Sequence, residues 1–232
     1  MTRYLFISDL HLDESRPKTT AAFLTFIRQT ASQAKALYIL GDWFEVWLGD
    51  DMCGAWTDEI AEALWQISQQ TKLYFMPGNR DLLLGDAYLK RCGMTRLNAP
   101  HVLNLGAERA VLCHGDELCL DDLRHQRYRR WVTRPWVQKA FLMLSKRLRH
   151  KIAQKLRSTS QGHLPKDQPY LADVSPGAAE ALLARYDATL LIHGHTHRAA
   201  IHCLTVNGKN ARRVVLSDWH DEACYWAYDE SA

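Results

Sequence analysis

The sequence predicts an α/β core with helices flanking its sheets, and three observations carry that prediction. Apolar runs of strand length alternate with helical periodicity through the first half of the chain. Five such runs end directly in a short polar motif, the arrangement that delivers polar residues to one edge of a sheet. After the fourth motif the pattern yields to a long basic helical stretch before a strand and the fifth motif return.

The elements follow in order. Arg3 to Ser8 reads as a strand leading into Asp9-Leu10-His11. Thr19 to Lys35 predicts a helix, with Phe23, Phe26, Ile27 and Thr30 near one face. Ala36 to Leu40 is a strand ending in Gly41-Asp42. Thr57 is read as the cap of a helix running to Gln70, with Ile60, Leu64 and Ile67 at helical spacing and Glu59 and Glu62 near its start. Lys72 to Met76 leads into Gly78-Asn79-Arg80-Asp81, and Arg109 to Cys113 into His114-Gly115-Asp116. From Asp121 to Ser158 the chain is helical, with Trp136, Ala140, Phe141, Leu144, Leu148, Ile152 and Leu156 as one apolar face and Pro135 suited to a first turn. Leu142 and Met143 make that face wider than one core contact needs, which admits either a neighbouring helix or a greasy partner. Ser158 to Pro169 is rich in turn formers and is expected to be a loop. A helix from Pro176 to Tyr186 precedes the strand Ala188 to Ile192 and the motif His193-Gly194-His195-Thr196-His197. Two late runs, Arg212 to Leu216 and Ala223 to Tyr228, complete the sheets. The expected organisation is a core of residues 1–120 and 171–232 interrupted by an insertion at 121–170.

A chain of 232 residues, 47% apolar and 24% charged, is ordinary for a soluble globular protein with one sizeable core and a modest insertion. No apolar run approaches the roughly 18–20 residues that span a bilayer. The first apolar run is cut short by Asp9, with no charged leader or cleavage site. Six cysteines lack any C-x-x-C pair, and Cys113 lies inside a strand, so reduced thiols and a cytoplasmic location are expected. The net charge of +3 is unevenly spread. Residues 121–158 hold twelve Lys/Arg against two Asp/Glu, a surplus of ten that leaves the rest of the chain at −7. A basic segment on an acidic body points to an anionic partner: phosphate, nucleic acid or a membrane surface.

The motifs point to metal chemistry. Mixed Asp and His donors suit first-row metals such as Mn²⁺, Fe²⁺ or Zn²⁺, whereas an all-oxygen set suits Mg²⁺ or Ca²⁺. Seven donors for two ions leave one to bridge, and Asp42 is the natural choice because a carboxylate binds one ion through each oxygen. Such a pair acidifies a water, grips phosphoryl oxygens and offsets charge in an in-line transition state. His101, His125, His150, His163, His202 and His220 lie outside the motifs and read as surface or packing residues. His193 is ambiguous: it admits either a group that orients a ligand or, less readily, a metal ligand itself.

The order D-x-H, G-D, G-N-x-D, H-G-D, G-H-T-H resembles the calcineurin-like metallophosphoesterase superfamily. That resemblance implies two packed mixed β-sheets flanked by helices. It implies one metal held by Asp9, His11, Asp42 and His197, and a second held by Asp42, Asn79, His114 and His195. One position departs from the usual pattern: Arg80 stands where most members carry a proton-donating histidine. Arginine stays protonated and cannot supply that proton. A phosphate leaving group needs no such donor, and its oxygen suits a guanidinium clamp, so Arg80 argues for cleavage of a pyrophosphate.

A narrower resemblance rests on Gly41-Asp-Trp-Phe-Glu-Val-Trp-Leu-Gly-Asp-Asp51, Gly78-Asn-Arg-Asp-Leu-Leu-Leu-Gly85, His114-Gly-Asp-Glu-Leu-Cys-Leu-Asp-Asp122 and Leu191-Ile-His-Gly-His-Thr-His-Arg198. These segments are similar to the UDP-2,3-diacylglucosamine pyrophosphatases of lipid A biosynthesis, which release UMP and 2,3-diacylglucosamine 1-phosphate. The resemblance implies two divalent ions, usually Mn²⁺. It also implies a helical lid over the acyl chains of an amphipathic UDP-sugar lipid, and a peripheral place on the cytoplasmic membrane surface. Catalytic roles carry over to Asn79, Arg80 and His195, and substrate contacts to Asn79, Arg80, Asp122, Ser160 and His195. Two lid-loop positions, usually asparagine and lysine, are Leu164 and Asp167 here, with Lys166 placed to substitute by a one-residue shift. No nucleic acid and no obligate protein partner are expected. The competing readings are a nuclease or nucleotide phosphodiesterase, whose basic lid would track a backbone, and a scaffold that has lost its metals.

Overall fold

The computed structural model describes residues 3–161, 173–175 and 177–230, with the backbone alone for 157–161. The loop positions Leu164, Lys166 and Asp167 fall outside the described residues, as does the side chain of Ser160.

Two five-stranded mixed sheets form the core. The first comprises β1 (Arg3–Ile7), β2 (Ala36–Leu40), β3 (Lys72–Met76) and β4 (Met94–Arg96), all parallel, with β10 (Trp226–Asp229) antiparallel against β1. The second runs β5 (His101–Leu105), β6 (Glu108–Leu112), β7 (Leu190–His193), β9 (Lys209–Val215) and β8 (Ala200–Val206). Its three central strands are parallel and both edge strands antiparallel. Strands β1, β2, β3 and β7 read as largely apolar runs because both their faces are mostly buried. In β1, Tyr4 and Phe6 point into the layer between the sheets, packing with Leu112, Ile192 and Val214. Leu5 and Ile7 point the other way, onto α1 (Pro17–Gln29) and α2 (Ala55–Ser68) through Phe23, Ile27, Ile60 and Leu64. This alternation follows from the two-residue period of a strand. The short α3 (Asp86–Arg91) joins that layer through Tyr88 and Leu89, and α7 (Ala178–Arg185) covers the outer face of the second sheet through Ala179 and Leu183. The architecture is therefore helix, sheet, sheet, helix. Truncating a fully buried aliphatic such as Ile39 to alanine is expected to cost about 2–5 kcal/mol.

Several local expectations are corrected. The first helix stops at Gln29, followed by a single 3-10 turn at Ala31–Gln33. Thr57 is the third helical residue rather than the cap: Gly54 caps α2, and the Thr57 hydroxyl accepts from Gly54 N–H and donates to Gly54 C=O. The basic stretch is not one helix. It forms α4 (Leu123–Val132), α5 (Pro135–Leu142) and α6 (Lys146–Gln161), so the stripe from Trp136 to Leu156 is divided between two axes. Ser158 to Gln161, expected in a loop, continue α6. The helix expected from Pro176 begins at Ala178. Elements α3, β4, β5 and β8 carry too little periodic signal to be read from the sequence.

Among the described side chains of α4 to α6, Val137 and Arg149 are the buried ones. Arg149 reaches the Leu48 carbonyl and both carboxylate oxygens of Asp51, and Lys146 donates to the Asp51 carbonyl. Polar bonds thus fix α6 to the loop that follows β2. Of thirteen large exposed hydrophobic residues in the described chain, nine lie between Leu120 and Leu156. No helix among the described residues is long and apolar enough to cross a membrane.

Candidate metal centre

All five motifs converge where β1, β2, β3, β6 and β7 end, on loops stitched to one another by backbone bonds. Asp9 N–H donates to Gly41 C=O, and His11 N–H to Asp42 C=O. Gly194 N–H reaches His114 C=O, and Trp47 N–H reaches Arg80 C=O. The turns are sharp: among the described residues seven non-glycine positions have positive φ, and five of these are Asp9, His11, Asp42, His195 and His197. Each such residue costs on the order of 1–3 kcal/mol unless its surroundings hold it. Close packing supplies that hold. A Cβ on Gly194 would land on Asp9 Oδ2 and Ser8 Oγ, and one on Gly78 would land on Asp42 Oδ1, so both positions need glycine for close approach.

The structure brings together all seven residues singled out as ligands. His11 Nε2 faces His197 Nε2 at 3.4 Å, and His197 Nε2 lies 3.4 Å from Asp9 Oδ1. On the other side, Asn79 Oδ1 is 3.1 Å from both His114 Nε2 and His195 Nδ1, with Asp42 Oδ1 3.6 Å from His114 Nε2. Asp9, His11 and His197 form one group of convergent donors; Asp9, Asp42 and His114 form another. Asp9 belongs to both, so it stands beside Asp42 between the two groups. The remaining ligand atoms are held in turn: Asp9 Oδ2 accepts from Ser8 Oγ and from His195 N–H, Asp42 Oδ1 accepts from Arg80 N–H, and His114 Nδ1 contacts the Leu40 carbonyl at 2.8 Å.

Whether the cluster suits a cation is decided by its charges. Asp9 and Asp42 are almost fully buried. Burial works against the Asp9 carboxylate, but the His197 and His114 rings outweigh it and hold the group below its ordinary range. Burial dominates at Asp42 and holds that carboxyl above its ordinary value despite His114 and His11. Burial also opposes a charged His114, yet Asp42 and Asp9 outweigh it and raise the ring to about 10. At His195 burial prevails, helped by His114, and lowers it to about 3. Asp9 Oδ1 is buried without a well-formed hydrogen bond. Opposed imidazole nitrogens, a buried carboxylate oxygen without a well-formed hydrogen bond and crowded acids form a donor set that divalent cations fit.

Four residues outside the expected ligand set also build the site. Asp81, fully buried, accepts from Trp43 N–H through one oxygen and from Gly78 N–H through the other, latching two motif loops together; burial and the Asp42 charge raise it to about 7. Glu45 lies between His11 and Arg80, with Oε2 3.1 Å from His11 Nδ1 and Oε1 3.5 Å from Arg80 Nη1. Asp218 lies 3.4 Å from His197 Nδ1. His125, read from sequence as a surface or packing residue, instead tilts against His195 with ring centroids 5.6 Å apart and sits 3.4 Å from Asp116 Oδ2. Asp116 accepts from Arg129 Nε as well, so the fourth motif ties α4 to the sheet edge. His220, also left outside the site by the sequence reading, borders its cavity. The sequence signal for these positions was uneven: Asp81 ends the third motif and Glu45 lies inside a quoted segment, whereas Asp218 and His220 lie well beyond the last motif and carry none.

The cavity at this edge measures about 280 Å³ and is lined by His11, Asp42, Asn79, Arg80 and His197 among others. Arg80 is 43% exposed at its wall, on the side where Tyr128 of α4 feels its charge. Asp122 caps α4, its Oδ1 accepting from His125 N–H, and so meets the site through His125. His193 is buried, with Nδ1 2.8 Å from the Gly194 carbonyl, and burial lowers it to about 4.

Comparison with known proteins agrees with this architecture. Residues 2–199 match the Calcineurin-like phosphoesterase family. The UDP-2,3-diacylglucosamine hydrolase of Coxiella burnetii is 44% identical over 95% of this chain and 90% of its own. The proteins of the same name from Ectopseudomonas mendocina and Aeromonas hydrophila are 45% and 46% identical, over 96% and 94% of this chain and 92% and 91% of theirs. With its paired mixed sheets and its Asp, His and Asn donors gathered at their shared edge, the chain belongs to the calcineurin-like phosphoesterases, a family of metal-dependent hydrolases.

Proposed function

We propose that this chain hydrolyses the pyrophosphate of UDP-2,3-diacylglucosamine to UMP and 2,3-diacylglucosamine 1-phosphate in lipid A biosynthesis. Two divalent ions, Mn²⁺ foremost, are assigned to Asp9, His11, Asp42 and His197 on one side and Asp42, Asn79, His114 and His195 on the other. The observation that carries the reading is Arg80: it stands at the cavity wall beside Asn79, in place of the family's proton donor. The names of the relatives point the same way.

When bound, the ions supply an acidified water and positive charge against the phosphoryl oxygens. The chain's own residues do the rest. Asn79 and His195 face one non-bridging oxygen and Arg80 clamps the other side of the pyrophosphate. The water, having given up one proton to solvent, adds through its oxygen to the phosphorus nearer the nucleoside, and the bond from that phosphorus to the bridging oxygen breaks with its electron pair on that oxygen. The lipid phosphate departs as an anion, which needs no proton from Arg80. Asp122, Ser160, Leu164, Lys166 and Asp167 are assigned to the sugar and its chains.

Residues 121–170 act as a lid in this reading. Trp131, Trp136, Leu142 and Met143 are exposed on α4 and α5 and at the end of α5, a surface suited to two fatty chains. The basic residues around them suit an anionic membrane face, which supports a peripheral position on the cytoplasmic side of the inner membrane. The reading is tested by offering UDP-2,3-diacylglucosamine, an alkyl phosphodiester and single-stranded DNA under identical Mn²⁺ conditions. Preference for the sugar nucleotide is expected; faster cleavage of the diester or the DNA overturns it.

A further inference from the structure

We infer that His193 is a positioning residue: its imidazole clamps the Gly194–His195 peptide and through it orients Asp9 and His195 for a divalent cation. The inference rests on the metal roles proposed above for those two residues. His193 opens the fifth motif at the end of β7, where it is fully buried and Leu216 N–H donates to its carbonyl. Its Nδ1 lies 2.8 Å from the carbonyl oxygen of Gly194. A carbonyl only accepts, so the proton of the ring is on Nδ1. Nε2 is buried and has no hydrogen-bond partner among the described residues. A charged ring would bury an unpaired N–H there, so the ring is neutral and its second nitrogen is left bare.

A trans peptide directs its C=O and its N–H to opposite sides. The N–H across from the Gly194 carbonyl is that of His195, and it donates to Asp9 Oδ2 at 2.9 Å. The peptide plane is thus held from both sides, by the His193 ring on one and the Asp9 carboxylate on the other. Asp9 Oδ2 also accepts from Ser8 Oγ at 2.6 Å. Two donors therefore occupy that oxygen, and Oδ1 is the one left to face His197 Nε2, 3.4 Å away, in the first donor group. The clamp matters equally for His195, whose φ is 68°. Rotation of the peptide would carry it out of this left-handed conformation and draw its Nδ1 away from Asn79 Oδ1, now 3.1 Å distant. Gly194 resists such rotation weakly because it has no Cβ, and close approach to Asp9 and Ser8 forbids it one. Gly115 serves the same contact: a Cβ there would come within 2.7 Å of His193 Nδ1 and 3.0 Å of the Gly194 oxygen.

His193→Leu removes the donor and keeps an apolar side chain in its place. His193→Asn restores a donor, since the Asn Nδ2 stands near the position of Nδ1. Calorimetric titration of the metal-free protein with Mn²⁺ is expected to show affinity about 10–100-fold weaker for His193→Leu and close to wild type for His193→Asn. The melting temperature of metal-free His193→Leu is expected to match wild type, because the Gly194 carbonyl still accepts from Thr196 N–H and the bare Nε2 leaves with the ring. The His195 amide proton, shifted downfield by its carboxylate acceptor, is expected to move upfield and exchange faster in His193→Leu but not in His193→Asn. Wild-type Mn²⁺ affinity in His193→Leu overturns the inference. So does a loss of affinity that His193→Asn shares or that comes with a fallen melting temperature, because ring packing would then be the cause. One measurement needs no variant. Long-range proton–nitrogen NMR spectra of the metal-free wild type are expected to show His193 protonated at Nδ1 alone, and a ring protonated at Nε2 overturns the clamp. None of these readouts needs turnover, so a protein that leaves UDP-2,3-diacylglucosamine intact yet shows these effects fails the functional reading and keeps this one.

Discussion

At the sheet edge, Asp9, Asp42 and Asp81 are each at most 2% exposed, and backbone N–H groups of neighbouring loops donate to their carboxylates. Along α4 to α6 the described side chains reverse this arrangement: tryptophans and leucines face outward, and a principal buried anchor is the charged Arg149. The first region spends backbone strain and buried charge to hold donor atoms still. The second leaves apolar surface uncovered and attaches itself by hydrogen bonds to Leu48 and Asp51. Rigid geometry and an adaptable greasy surface are what the two ends of a lipid pyrophosphate would require.

The sharpest way to break this contrast is Asp42→Ala. The ions are worth several kcal/mol of transition-state stabilisation, so turnover is expected to fall about 10³-fold or more, with the fold retained by circular dichroism. A variant with full metal-dependent activity would move the chemistry elsewhere. Next in size is Arg149→Ala, expected to lower stability by about 2 kcal/mol in urea denaturation, because charged hydrogen bonds to Leu48 and Asp51 are lost while the half-exposed Asp51 regains water. An unchanged midpoint would mean that α6 is not seated by this residue.

Acid titration sharpens the same point. Arg149 beside Asp51 holds that carboxyl below its ordinary 3.8, with burial opposing. A depressed acid stabilises the fold above its unfolded pKa and loses that contribution as pH falls through the folded value. The gap between wild type and Arg149→Ala is therefore expected to be full near neutrality and to narrow below about pH 4. A gap that widens on acidification contradicts the pairing. Smallest of all in stability is the double change Trp131→Ser with Trp136→Ser, expected within about 0.5 kcal/mol because both side chains are exposed. Its effect should fall on KM for the diacylated substrate. A large loss of stability with unchanged KM would make these tryptophans core residues rather than substrate surface.

How much was readable in the sequence divides along the same line. Strands β1, β2, β3, β6 and β7 are mostly buried on both faces, so each is a largely apolar run with a polar motif at its end, and the motifs named the residues that meet there. Strand β8 lies at a sheet edge with Ile201 and Cys203 exposed, and β4 has three residues, so neither leaves a pattern. The insert read as one helix because hydrophobic spacing continues through Met143 to Ser145, where the backbone turns. Glu45, Asp218 and His125 acquire their contacts only when distant loops fold together, as when Asp218 comes beside His197 and His125 beside His195. No spacing rule links such pairs.

The most direct test of the central claim incubates the protein with UDP-2,3-diacylglucosamine and Mn²⁺ in ¹⁸O-labelled water, with and without chelator. The account predicts equimolar UMP and 2,3-diacylglucosamine 1-phosphate, label in the UMP, and no products once the metal is removed. Release of UDP, label in the lipid phosphate, or turnover that survives the chelator would contradict it.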